Sequence, residues 1–203
     1  MDKCFKKTKI KHYDNDVVLN DPIVQSFLAK KDYDRNWNLH LFDLKSVLPD
    51  FYNWVEEYFK SPITVTRFFI TTPNSSTLIH EDAGYNTCLN IPIINCNKFS
   101  KNVWYDCDFN YRSEKYSGKS DSVGVNFAAN DPGAYRFPQE SVISTISEMV
   151  LDKPTLFNTS IPHNVETGAK LMGPRIVLTV RTKNMTRDSG ISFEDFLKNE
   201  VPA

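Results

Sequence analysis

The residues whose types and spacing could do chemistry together are His80, Asp82, His163 and Arg175. His80 and Asp82 stand two apart in the strand-like run TLIHED. In extended backbone, residues i and i+2 share a face, so the imidazole and the carboxylate converge while Glu81 points the other way. The chain has only four histidines. His12 sits in a lysine-rich arm, and His40 alternates with polar neighbours in NWNLHLFDL and reads as a structural residue. His163, at the end of a strand-like run in FNTSIPHNVETG, is the useful third ligand. Two imidazoles and one carboxylate on one side of a metal suit iron(II) with three positions open. The same set also binds catalytic zinc.

Arg175 separates the two metals. In GPRIVLTVRT, Arg175, Val177, Thr179 and Arg181 share one strand face, and Ile176, Leu178 and Val180 share the other. An arginine turned inward from an apolar strand needs an anion, because an unpaired buried charge is costly. Its planar fork suits a carboxylate held at two points. A zinc hydrolase does not require this group, whereas an iron enzyme that binds a dicarboxylic oxoacid does. Asn90, an amide inside the apolar run YNTCLNIPII, needs a partner too, either the oxoacid or backbone.

Strands must position these residues, and the hydrophobic pattern supplies them. NDPIVQSFLAKK reads as a helix with Asn20 or Asp21 as cap and Pro22 in its first turn. LPDFYNWVEEYFKSP reads as a second helix, stopped at Ser61-Pro62. The period then changes to that of strands at 63–71, 77–82, 85–94 and 101–107. Residues 108–140 are polar and broken by Gly118, Gly124, Pro132 and Gly133, with weak strand signals at 122–127, and read as an insertion. Its Tyr111, Tyr116, Phe127, Tyr135, Phe137, Arg112 and Arg136 give it the composition of a substrate-selecting lid, with a plain linker as the alternative. SVISTISEMVLD suits a strand or a short helix; 154–167 and 174–182 restore strands, and SGISFEDFLKNE closes the chain as a helix capped by Ser192. The expectation is a single α+β domain with a double-stranded β-helix core, a cupin-like jelly roll. Residues 1–62 form a helical N-terminal support, 63–182 the core and 183–203 the C-terminal helix.

Composition sets the outer bounds. The 203 residues are 40% hydrophobic and 13% aromatic, enough for a sizeable core. Net charge is −1, so no global basic field draws in nucleic acid. The lysines of MDKCFKKTKIKHY read as a solvated arm. No apolar run approaches the roughly 20 residues of a membrane span, and the N-terminus lacks the apolar stretch of a signal peptide. Cys4, Cys88, Cys96 and Cys107 form no CxxC pair and read as reduced thiols of a cytoplasmic protein.

With these residues in order, the chain resembles the 2-oxoglutarate/iron(II)-dependent dioxygenases, in particular small phage and bacterial members near the aspartyl/asparaginyl β-hydroxylase branch. HED stands for the HxD motif, followed by CLNIPIINC and VWY; PTLFNTSIPHNVE carries the distal histidine, and PRIVLTVR the oxoacid arginine. The resemblance covers roughly residues 63–107 and 150–182. It implies iron(II) on His80, Asp82 and His163, and 2-oxoglutarate as co-substrate with its far carboxylate on Arg175. Dioxygen is the oxidant, succinate and carbon dioxide are released, and a C–H bond of an amino acid or protein side chain is hydroxylated. The acid at Asp82 favours hydroxylation or demethylation over halogenation. Arg181 lies six positions beyond Arg175, the spacing of two oxoacid-end arginines in nucleic-acid dealkylating members; a solvent-facing Arg181 is the other reading. Two alternatives stand beside the hydroxylase: a non-catalytic jelly-roll binding protein, and a nucleic-acid demethylase, against which the net charge argues.

Overall fold

The computed structural model describes residues 2–30, 37–113 and 133–199. The chain opens with strand β1 (Phe5–Lys7), followed by helices α1 (Asn15–Leu19) and α2 (Pro22–Leu28). Asp21 caps α2 by accepting from the Ile23 amide, and Pro22 takes the first position, where its missing N–H costs nothing. Strand β2 (Trp37–Leu41), the short α3 (Leu44–Val47) and α4 (Pro49–Tyr58) come next. The strands β3 (Ile63–Thr71), β4 (Ser75–Ser76), β5 (Ile79–Asp82), β6 (Thr87–Ile94) and β7 (Ser100–Cys107) follow. Then come β8 (Ala134–Phe137), β9 (Val142–Met149), β10 (Thr155–Asn158), β11 (His163–Thr167), β12 (Arg175–Thr182) and α5 (Phe193–Asn199). Ser192 Oγ accepts from the Asp195 amide at 3.2 Å, the expected cap of α5.

The strands form two antiparallel sheets. One runs β1-β10-β6-β12-β3-β2, the other β8-β5-β11-β7-β9, with β4 paired to β11. Their inner strands alternate between the sheets as a jelly roll requires: β3 to β5 changes sheet, as do β5 to β6, β6 to β7, β9 to β10, β10 to β11 and β11 to β12. The first sheet is covered on both faces. Phe68, Ile70, Leu89, Ile91, Leu156, Ile176, Leu178 and Val180 pack outward against Val18, Val24, Phe27, Phe51, Val55, Phe59 and Phe196 of the helices. These outward side chains are fully or almost fully buried, so an alanine at Phe68 would cost about 3–5 kcal/mol. The opposite face of the same strands, one residue out of step, faces the second sheet.

Several expectations change at the edges. The N-terminal region is not only helical, since β1 and β2 form the two edges of the first sheet. The lysine arm is anchored rather than wholly solvated. Phe5 pairs with Phe157, Cys4 is fully buried, and Asp2 accepts from the Cys4 amide and the Ser147 hydroxyl. Lysines interleaved with Cys4 and Phe5 are the composition of a protected edge strand, which explains the charge without a free arm. His40 lies on β2, edge-on to the Phe27 ring at 5.0 Å, and burial lowers its pKa. SVISTISEMVLD gives the strand β9, an edge whose two register shifts against β7 disrupt the template it offers to other chains.

Part of the 108–140 stretch is regular. Residues 134–137 form β8 and pair with β5 in the register Ile79↔Phe137 to Asp82↔Ala134. The signal at 122–127, Tyr116 and Phe127 lie outside the described residues. All four cysteines are free thiols. No helix among the described residues is long and apolar enough to cross a membrane.

Candidate metal centre

His80 and His163 are register partners between β5 and β11, and their ring centroids lie 4.5 Å apart. Asp82, two residues along β5, joins them on the inner face, with its Oδ1 4.0 Å from His80 Nε2. One ligand atom from each of the three lies within 4.8 Å of the others, so the cluster could hold a metal ion. The donor set fits such an ion in detail. His80 Nδ1 is 2.8 Å from the Leu78 carbonyl, and His163 Nδ1 is 2.8 Å from the Ile161 carbonyl. A carbonyl only accepts, so each Nδ1 carries the proton and each Nε2 keeps its lone pair for a metal.

Burial, with the His80 imidazole second, pushes His163 down to about 4, so it is neutral at pH 7. Burial alone would raise the Asp82 carboxyl, but the Arg181 guanidinium outweighs it and holds Asp82 below the usual carboxylate range. Arg181 Nη2 donates to Asp82 Oδ2 at 2.5 Å, which leaves Oδ1 toward the histidines. The Arg181 guanidinium also lies over the Tyr85 ring, 4.3 Å from its centroid. The Asp82 amide donates to the Thr159 carbonyl, and Trp104, fully buried and opposite His163 in register, backs the imidazole. Trp104 is itself fixed by an Nε1–H bond to the Asn158 carbonyl.

These ligands open on a cavity with about 580 Å3 of non-atom space, counting its open mouth. Arg175, Val177, Thr179 and Arg181 all line it, as the alternation of β12 requires, while Ile176, Leu178 and Val180 lie in the helix-covered core. Arg175 is buried, and burial lowers its pKa. Its Nη2 donates to Asn102 Oδ1 at 2.9 Å; no carboxylate pairs with it, and its Nε meets no acceptor among the described residues. Asn90 also lines the cavity, and its amide is taken up by the Thr179 hydroxyl and the Cys88 thiol. Burial pushes the Cys88 thiol up to about 12, so it sits in the wall as a neutral group.

Glu81 points to the opposite face, as strand parity requires, and is almost fully buried there. It pairs with Arg112 and Arg187, and Arg112 lies over the Tyr135 ring, 3.6 Å from its centroid. Burial raises the Glu81 pKa against the opposing pull of the two arginines. This cluster ties β5, the strand that carries two ligands, to β8 and to the loop after β12. Asn102 is a site residue that the sequence reading misses. Its signal is an amide in KNVWYDC, on the same strand face as Trp104.

No family model matches the chain. No curated protein matches it either. Among solved structures, the chain is similar to L-ribose isomerase from Geodermatophilus obscurus, with 13% identity and a TM-score of 0.34, covering 62% of this chain and 51% of that one. The isomerase from Cellulomonas parahominis gives 14% identity and 0.34 over 62% and 50%. Vicilin from Corylus avellana, the hazelnut, gives 12% identity and 0.36 over 77% and 33%. This chain thus matches about half of each isomerase and a third of the vicilin, and likenesses at this level decide nothing about its chemistry.

Proposed function

We propose that this chain is an iron(II)- and 2-oxoglutarate-dependent dioxygenase that hydroxylates a C–H bond of an amino acid or a protein side chain. The observation that carries the reading is one cavity holding both three convergent ligand atoms and a buried arginine that no carboxylate pairs with among the described residues. His80, Asp82 and His163 would hold the metal through two neutral nitrogens and one anionic oxygen, a set that leaves three positions for oxoacid and dioxygen. Iron(II), with 2-oxoglutarate and dioxygen, supplies the oxidising power for C–H cleavage and releases succinate and carbon dioxide.

The chain's own residues supply the rest. Arg175 offers its fork to the far carboxylate of the oxoacid. Asn102, its partner, sits one two-residue step along β7 from Trp104, the residue opposite His163. That step is about 6.7 Å, a span suited to a short dicarboxylic acid with its other end at the metal. Arg181 holds Asp82 by one oxygen, so the carboxylate meets a metal with the other. Phe69, Phe157 and Val177 give the cavity an apolar wall that keeps water from the reacting centre. A zinc hydrolase leaves Arg175 without a role. Four free thiols fit a cytoplasmic location.

The test is succinate release from 2-oxoglutarate with iron(II) and dioxygen, screened over amino acids, peptides and methylated bases. Iron-dependent succinate, stimulated by an amino acid or peptide, is the expected result. No succinate under any condition, from protein that carries iron, would leave a binding protein on the same scaffold.

A further inference from the structure

Asn102 lies on β7 and Arg175 on β12, so their 2.9 Å hydrogen bond crosses from one sheet to the other. Both residues are only 2% exposed. An arginine can only donate, so Asn102 presents its amide oxygen to Nη2 and turns its –NH2 group elsewhere. That Nδ2 and the Nε of Arg175 are both buried with no acceptor among the described residues. A buried donor left without an acceptor is costly, because it gives up its bond to water for nothing. Here two such donors flank one hydrogen bond on the wall of the same cavity. The group that satisfies both is an acceptor with two oxygens.

We infer that Asn102 is a second donor to the far carboxylate of the oxoacid and sets the direction in which the Arg175 fork faces. The inference rests on the 2-oxoglutarate reading above and adds a specificity residue to it. The neutral amide matters as much as its position. Its oxygen fixes one edge of the guanidinium without neutralising it, so the charge stays available to a ligand. A carboxylate at the same place would pair with Arg175 from within the protein and take the oxoacid's position. An oxoacid that ends in a methyl group offers these donors nothing and binds through its metal-chelating end alone.

The experiment is calorimetric titration of the Mn(II)-loaded protein with 2-oxoglutarate and, separately, with 2-oxobutyrate, which lacks the far carboxylate. Wild type binds 2-oxoglutarate the more tightly. Asn102→Ala weakens 2-oxoglutarate by about tenfold, the loss of one donor. Asn102→Asp weakens it by about 100-fold or more, because the new carboxylate occupies the guanidinium. Mn(II) affinity and 2-oxobutyrate affinity stay unchanged in both variants, and the oxoacid-free Asn102→Asp protein melts at a higher temperature than wild type. Wild-type 2-oxoglutarate affinity in both variants would overturn the role of Asn102 and leave the dioxygenase reading standing. Loss of Mn(II) binding in both variants would also overturn it, by making Asn102 a support of the fold. Failure of the Mn(II)-loaded wild type to bind 2-oxoglutarate would remove both readings together.

Discussion

His80 and His163 face each other across β5 and β11, and each donates its Nδ1–H to the carbonyl two residues before it in the chain. The same local device on two strands turns both Nε2 lone pairs toward Asp82 ahead of metal binding. A metal therefore needs no change of tautomer at either ring.

The burial of His163 predicts a pH dependence for the metal-free protein. Its pKa falls from 6.5 to about 4 on folding. Between those values the unfolded chain binds one more proton than the native one, so stability rises with pH through this window and falls as acid is added. The whole effect is about 3 kcal/mol, with little further change from this group above pH 6.5. Urea unfolding across this range should show a steeper slope in wild type than in His163→Asn, where only the smaller contribution of buried groups such as His40 remains. Equal slopes in the two proteins would mean that His163 is not held neutral.

Arg175→Met should act in two directions. The oxoacid-free protein loses a buried charge that no carboxylate among the described residues offsets, and should gain roughly 1–4 kcal/mol in stability. The apparent affinity for 2-oxoglutarate should fall by the roughly 2–5 kcal/mol of a lost charge-assisted contact. Metal content stays near wild type. Unfolding curves and an oxoacid titration of the same preparation read both signs, and an unaltered oxoacid affinity would take the role away from Arg175.

Arg181→Met removes the guanidinium bound to Asp82 Oδ2. Leaving that carboxylate buried without its partner should cost about 3–5 kcal/mol of stability. Metal affinity should drop roughly 10- to 100-fold, as for other groups that orient a ligand. Metal titration separates this from a direct contact with the oxoacid: an oxoacid defect with unchanged metal affinity would place Arg181 on the co-substrate instead.

The parity of β5 and β12 is legible in the sequence, because in a strand one residue's placement dictates its neighbours. His80 with Asp82, Glu81 on the far side, and the inward row from Arg175 to Arg181 all follow from that rule. The edges are harder to read. β2 and β8 are short, and β8 sits in a polar stretch, so their pairing depends on strands far away in sequence. The partners of Glu81 are Arg112 and Arg187, and no local pattern announces a contact over such a separation. Asn102 is legible in principle, since an amide one step from an inward tryptophan needs a partner as Asn90 does. What hides it is the identity of that partner, an arginine from the other sheet.

The anchored N-terminus gives another test. Cys4→Asp places a carboxylate in the cluster of Trp104, Cys88, Phe157 and Val177 and should cost several kcal/mol, on the order of 3 or more. Lys7→Ala, at an exposed position, should stay within about 0.5 kcal/mol. Urea midpoints decide it, and a neutral Cys4→Asp would return these residues to a free arm.

The most direct measurement is anaerobic titration of the protein with iron(II) and then 2-oxoglutarate, followed by the visible charge-transfer absorption that a 2-oxoacid gives when it chelates iron(II). Wild type should bind one iron per chain and develop the absorption on addition of the oxoacid. His163→Ala should bind no iron at the same concentrations, and Arg175→Met should bind iron yet need far more oxoacid. Iron bound equally well by His163→Ala, or no absorption in iron-loaded wild type at saturating 2-oxoglutarate, would contradict a metal and an oxoacid sharing this cavity.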